Sequence, residues 1–125
     1  MLSVSRSVLS VSPSITSDYV QVVSYYAKYS FLACWRPGDL NWTYVDSGHR
    51  GGVSSMIYHK GRFYYVTYYG EIWSFSVPGP SIPQPIEVEA TKLVCLEKWW
   101  KCQQHGYLLD RVIRDILNYF PTYLE

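Results

Sequence analysis

The chain has 125 residues, 48% of them apolar and 17% charged, a balance that places it with globular proteins and excludes disordered, collagen-like and disulfide-dense classes. Its formal charge of +1 supplies no basic field to neutralise a run of phosphates, so no nucleic-acid partner is expected. No stretch reaches the ~20 continuous apolar residues of a membrane helix, and no membrane partner is expected either.

Aromatic residues make up 18% of the chain, with 13 Tyr and 5 Trp. Such side chains fill strands and also anchor binding surfaces. Cys34, Cys95 and Cys102 are an odd and scattered set, which argues against a secreted disulfide framework and for a reducing compartment, cytoplasmic or nuclear. The serine-rich start, with Arg6 and no acid before Asp18, superficially fits a transit peptide. The alternation of Leu2, Val4 and Val8 with polar residues favours a half-buried strand instead.

Taken in chain order, that first strand spans 3–11 and is closed by a turn at Pro13 and Ser14. Strands are predicted next at 19–26, 31–35 and 42–45, with Arg36-Pro37-Gly38-Asp39 forming a tight reversal between the last two. After the glycine-rich segment 47–52, strands are predicted at 53–59, 62–68 and 71–77, separated by Lys60-Gly61 and Tyr69-Gly70. A proline-rich linker, 78–85, then leads to 86–90, where Ile86 and Val88 alternate with Glu87 and Glu89. The result is two tandem groups of four strands, offset by about 44 residues, the length of a propeller blade. Residues 107–120 place Leu108, Leu109, Val112, Ile113, Ile116, Leu117 and Phe120 on one face of a predicted amphipathic helix, which Pro121 stops.

Short strands at this spacing also suit an antiparallel sandwich, and local motifs separate the two. Cys34-Trp35-Arg36-Pro37-Gly38-Asp39 followed by Trp42-Thr43, then Ile57-Tyr58-His59-Lys60-Gly61-Arg62-Phe63-Tyr64 with Gly70-Glu71-Ile72-Trp73, resemble the plant F-box-associated KIB-type β-propeller family. The resemblance covers roughly residues 4–90. It implies a mainly β fold, a partial β-propeller of about two four-stranded antiparallel blades. On this reading 1–90 is a partial propeller domain, and 91–125 is a divergent tail carrying the helix. The resemblance further implies a non-enzymatic protein-interaction module, like the propeller by which plant F-box proteins recognise targets for a ubiquitin ligase. The F-box of such proteins binds a Skp1-type adaptor, but no F-box-like pattern stands before the first strand. A protein target is therefore expected, and the adaptor is not. A truncated gene product without independent function is the alternative, since two blades leave a ring open with raw sheet edges.

Candidate chemistry is sparse. Cys95, Cys102 and His105 offer three metal ligands, but structural zinc sites take four in short paired spacings, so no metal and no cofactor is expected. His59 stands at a hairpin corner and His49 in a glycine-rich loop, neither beside a nucleophile motif. A small enzyme using His59 or the cysteine cluster is the least favoured reading. Gly48, Gly51 and Gly52 lack the lysine and helix of a phosphate loop. Asn41-Trp42-Thr43 is a glycosylation sequon without a secretory signal. The candidate partner-binding residues are Trp35, Arg36, Asp39, Trp42, Tyr68, Tyr69 and Trp73, all near strand ends, where propellers bind through loops. For Arg36 and Asp39, a local pair across the turn is the competing role.

Overall fold

A computed structural model describes residues 3–9, 18–26, 30–49 and 51–95. They form strands β1 (Ser3–Leu9), β2 (Gln21–Tyr26), β3 (Ser30–Trp35), β4 (Thr43–Asp46), β5 (Val53–His59), β6 (Arg62–Thr67), β7 (Glu71–Phe75), β8 (Val88–Glu89) and β9 (Thr91–Cys95). Two sheets result, in the orders β1-β2-β3-β4-β8 and β5-β6-β7-β9, antiparallel except for the short parallel β4–β8 pairing. The fold is mainly β, with no helix among the described residues. The helix predicted over 107–120 lies outside them.

Period-two alternation sets the two faces of each strand. In the first sheet Val22 lies opposite Cys34 and Ser24 opposite Leu32, and all four are buried. Val22, Leu32 and Cys34 join Val20, Val45, Val88 and Ala90 in one core with Val53, Met56, Phe63, Tyr65, Trp73 and Phe75 of the second sheet. Burying each large apolar side chain in that seam contributes roughly 1.5–3 kcal/mol. Phe63 stacks on Phe75 at 5.3 Å between ring centroids, and Tyr65 runs nearly parallel to Trp73 at 6.4 Å.

The alternate residues behave differently in the two sheets. In the second, Tyr64, Val66, Ile72 and Ser74 are at most 1% exposed, so β6 and β7 are buried on both faces. In the first, the face with Val23, Tyr25, Phe31, Ala33 and Tyr44 is half open: Phe31 is 38% exposed and Tyr44 67%.

Two turns follow from their residues. Lys60 and Gly61 both have positive φ, 48° and 86°, as the two-residue hairpin between His59 and Arg62 requires. Gly38, at φ 93°, follows Pro37 in a turn closed by the Asp39 N–H donating to the Arg36 carbonyl at 3.0 Å.

One expectation is corrected. Residues 86–90 do not complete the second group of four. Val88–Glu89 instead pairs in parallel with β4 at the edge of the first sheet, and Thr91–Cys95 is the fourth strand of the second. The physical reason is reach. The Ala90 N–H donates to the Asp46 carbonyl at 2.8 Å, which ties this segment to the first sheet, and β7 is left to pair with the residues that follow.

Candidate functional site

Antiparallel strands place successive connections at alternate ends. The β4–β5 connection and the β6–β7 turn meet at one end, whereas the β3–β4 and β7–β8 connections meet at the other. The seven candidate residues are thereby divided. Trp35, Arg36, Asp39 and Trp42 lie at one end; Tyr68, Tyr69 and Trp73 lie toward the opposite one.

At the first end Arg36 is 1% exposed. Its guanidinium forks onto the Asp39 carboxylate, with Nη2 to Oδ1 at 2.9 Å and Nε to Oδ2 at 3.0 Å. Its Nη1 donates to the carbonyls of Pro78, Gly79 and Ile82 at 3.3, 2.9 and 2.7 Å. Asp39 also accepts from the Arg36 backbone N–H at 3.0 Å, and the Trp35 indole donates to the Asp39 carbonyl at 3.1 Å. The pair is therefore a buried staple that fastens the β3–β4 turn to the 78–82 linker. Gln84 adds a second link, accepting from the Leu40 N–H at 3.1 Å and donating to the Asn41 carbonyl at 3.0 Å. Leu40 and Trp42 stay in solvent, 91% and 45% exposed.

Cys34 begins the same motif from inside the core. Burial, reinforced by the nearby Asp39 charge, pushes its thiol up to about 11, which keeps it protonated and unreactive near neutrality.

At the opposite end Tyr68 and Tyr69 are 61% and 65% exposed. Their turn is closed by the Gly70 N–H donating to the Thr67 carbonyl at 2.9 Å, and the Tyr68 N–H donates to the Gly52 carbonyl at 3.1 Å. Both rings lie over glycines. A Cβ on Gly51 would sit 2.8 Å from the Tyr69 ring, and one on Gly52 3.2 Å from that of Tyr68. The glycine-rich loop thus has a packing role: only residues without side chains let the two rings lie across it.

Beneath them is a polar cluster that sequence reasoning missed. His49 Nδ1 shares hydrogen bonds with Ser47 Oγ and, at 3.1 Å, with Tyr65 Oη. The imidazole meets the Tyr65 and Trp73 rings edge-on. Glu71, at the start of β7, lies 3.5 Å from Lys92 Nζ. His49 Nε2, Glu71 Oε1 and Trp73 Nε1 are buried without a hydrogen-bond partner among the described residues. Burial holds the His49 pKa below its ordinary value, with the Glu71 charge opposing, and burial pushes the Tyr65 hydroxyl well above the usual tyrosine range. In the sequence His49 reads as a solvated loop residue, because nothing local shows that Tyr65 and Trp73 fold against it.

A third feature is a groove of about 570 Å³ on the open face of the first sheet, lined by Ser7, Gln21, Val23, Tyr25, Ala33, Trp42 and Tyr44. Tyr25 stacks on Phe31 at 5.5 Å, and Tyr44 meets both rings at 6.5 Å. Burial, then hydrogen bonding with Tyr44, pushes the Tyr25 hydroxyl up to about 12. Of these residues only Trp42 stood out in the sequence. The signal for the rest was the apolar character of both faces of β2 and β3.

The sequence matches the model of the KIB1-4 beta-propeller family over residues 1–115. The chain belongs to this family. No curated protein and no solved structure matches it. The two sheets are accordingly blades of a partial propeller, and the connections just described lie at the two ends of those blades. The match runs through β9 to residue 115, past Ala90, where the sequence resemblance ends. No cluster of three or more metal-binding side chains occurs among the described residues; Cys102 and His105 lie outside them. His59, in the β5–β6 hairpin, is half-buried.

Proposed function

We propose that the chain is a non-enzymatic protein-interaction module whose contact surface is the rim at Tyr68 and Tyr69. One observation supports this reading most directly: two neighbouring tyrosines stand well exposed on a short turn that a glycine loop and backbone hydrogen bonds hold in place. Large aromatic side chains with few rotatable bonds anchor interfaces at low entropic cost when their backbone is already fixed. By the resemblance to F-box-associated propellers, the partner would be a target protein recognised for a ubiquitin ligase. A cytoplasmic or nuclear location fits Cys34 and Cys95, both free thiols.

The test is site-specific photo-crosslinking in cells from a photoreactive phenylalanine at position 68, with identification of the adduct by mass spectrometry. One dominant protein adduct, lost when Tyr69 is also changed to alanine, is the expected result. A set of abundant proteins captured without preference, unchanged by Tyr69→Ala, would overturn the assignment of this rim.

A further inference from the structure

Two segments hold the exposed tyrosines, and each carries one half of a buried polar pair. The first is the loop at 47–52, whose Gly51 and Gly52 lie under the Tyr69 and Tyr68 rings and whose Gly52 carbonyl accepts from the Tyr68 N–H. It carries His49. The second is the turn at 67–70, which runs directly into Glu71 and whose Thr67 hydroxyl accepts from the Glu71 N–H at 3.3 Å. By the period-two alternation of β7, Glu71 stands on the same face as Trp73, the ring that the imidazole meets edge-on. His49 Nε2 and Glu71 Oε1 are both buried, and neither has a hydrogen-bond partner among the described residues.

We propose that protonation of His49 is a switch that resets the Tyr68–Tyr69 surface: the imidazolium donates from Nε2 to Glu71 Oε1 and draws the glycine loop toward β7. Hydrogen-bond supply selects this move. In the neutral ring Nδ1 is engaged by the Ser47 and Tyr65 hydroxyls. A second proton makes both ring nitrogens donors. Nδ1 keeps its hydroxyl acceptors, whereas Nε2–H becomes a buried donor that is costly to leave unpaired. The acceptor at hand is Glu71 Oε1, on the residue whose charge already acts on the ring. The other polar groups around the ring do not take this part. Tyr65 on β6 stays a neutral hydroxyl, because burial pushes its pKa up. Trp73 on β7 can only donate. Lys92 on β9 reaches the other oxygen of Glu71 at 3.5 Å, and Asp46, ahead of the loop, is exposed. Burial disfavours the imidazolium more than Glu71 favours it, so the switch acts on the acid side of 6.5. Its meaning for partner binding rests on the reading of Tyr68 and Tyr69 as the contact surface: contact there becomes pH-dependent.

Proton–carbon NMR of the full 125-residue chain, titrated from about pH 8 to pH 5, follows the His49 and Tyr69 ring signals, assigned with His49→Asn and Tyr69→Phe. Both rings should shift with one common midpoint below 6.5, and the Tyr69 shift should be lost in His49→Asn. Glu71→Gln should move the His49 midpoint to lower pH, because the charge that favours the imidazolium is gone, and should abolish the Tyr69 shift as well. Tyr69 signals that stay fixed while His49 titrates, or that titrate unchanged in His49→Asn, overturn the proposal. So does a His49 ring that does not titrate in this range, or a midpoint that Glu71→Gln leaves in place. Should His49→Asn fail to fold, Glu71→Gln is read in its stead by the same two signals. The titration needs no partner, so it can fail while the Tyr68 crosslink succeeds, and the crosslink can fail while Tyr69 still follows His49.

Discussion

The two ends of the blades treat buried polar groups in opposite ways. At the Arg36 end every part of a buried charge is answered: the Asp39 carboxylate takes one side of the guanidinium and three carbonyls take the other. At the Tyr68 end, three buried polar atoms on His49, Glu71 and Trp73 have no hydrogen-bond partner among the described residues. Fully satisfied burial rigidifies, whereas an unsatisfied group carries a desolvation cost of about 1–3 kcal/mol. The difference marks the first end as the fastening of the two blades and the second as the end where buried polar groups cost stability.

The largest effect should come from unfastening the first end. Arg36→Ala leaves the Asp39 carboxylate, 6% exposed, without its cation, and removal of one partner of a buried ion pair costs roughly 3–5 kcal/mol. The urea midpoint should fall accordingly. A loss below about 1 kcal/mol, the worth of an exposed pair, would show that the staple is open in solution.

A smaller effect is expected from Gly51→Ala at the other end. Gly51 has φ 74°, a region that costs an L-residue about 1–2 kcal/mol. The new Cβ also drives the Tyr69 ring aside from its 2.8 Å approach. Stability should drop by about that amount, with a change in tyrosine near-ultraviolet signal. An unchanged spectrum would mean that Tyr69 is not held against the loop.

The smallest effect is the pH response of His49. Its folded pKa lies below its unfolded value of 6.5, because burial disfavours the imidazolium and the Glu71 charge only partly offsets this. The unfolded chain therefore binds the proton first. The contribution is fully present above the unfolded pKa and is lost as pH falls through the folded one. Wild-type stability, followed by urea titration from about pH 8 to pH 5.5, should decline more steeply than that of His49→Asn. Parallel profiles would remove His49 from the account and weaken the contrast between the ends.

Much of this architecture was legible in the residues. Strand β5 spans the predicted 53–59, and the other predicted strands before the proline-rich linker recur with ends shifted by a residue or two where they are described. Alternation and turn chemistry act over a few neighbours, so they survive without tertiary context. The candidate surface was less legible. Tyr68, Tyr69 and Trp42 are exposed, but Arg36 and Trp73 are buried, and a turn arginine gives no sign that a linker more than forty residues away will cover it.

What the sequence determined by itself, then, is local: which segments extend, and where Pro37-Gly38 and Lys60-Gly61 reverse the chain. What only the tertiary structure decided is pairing and cover. Alternation tells that Val88 and Ala90 face a core, but not that their backbone bonds to Asp46 and β4 while β9 closes the second blade. The physical reason is that a strand's side-chain pattern encodes its faces. Its edges are uniform backbone, and the choice of neighbour is made by the chain that lies beside it.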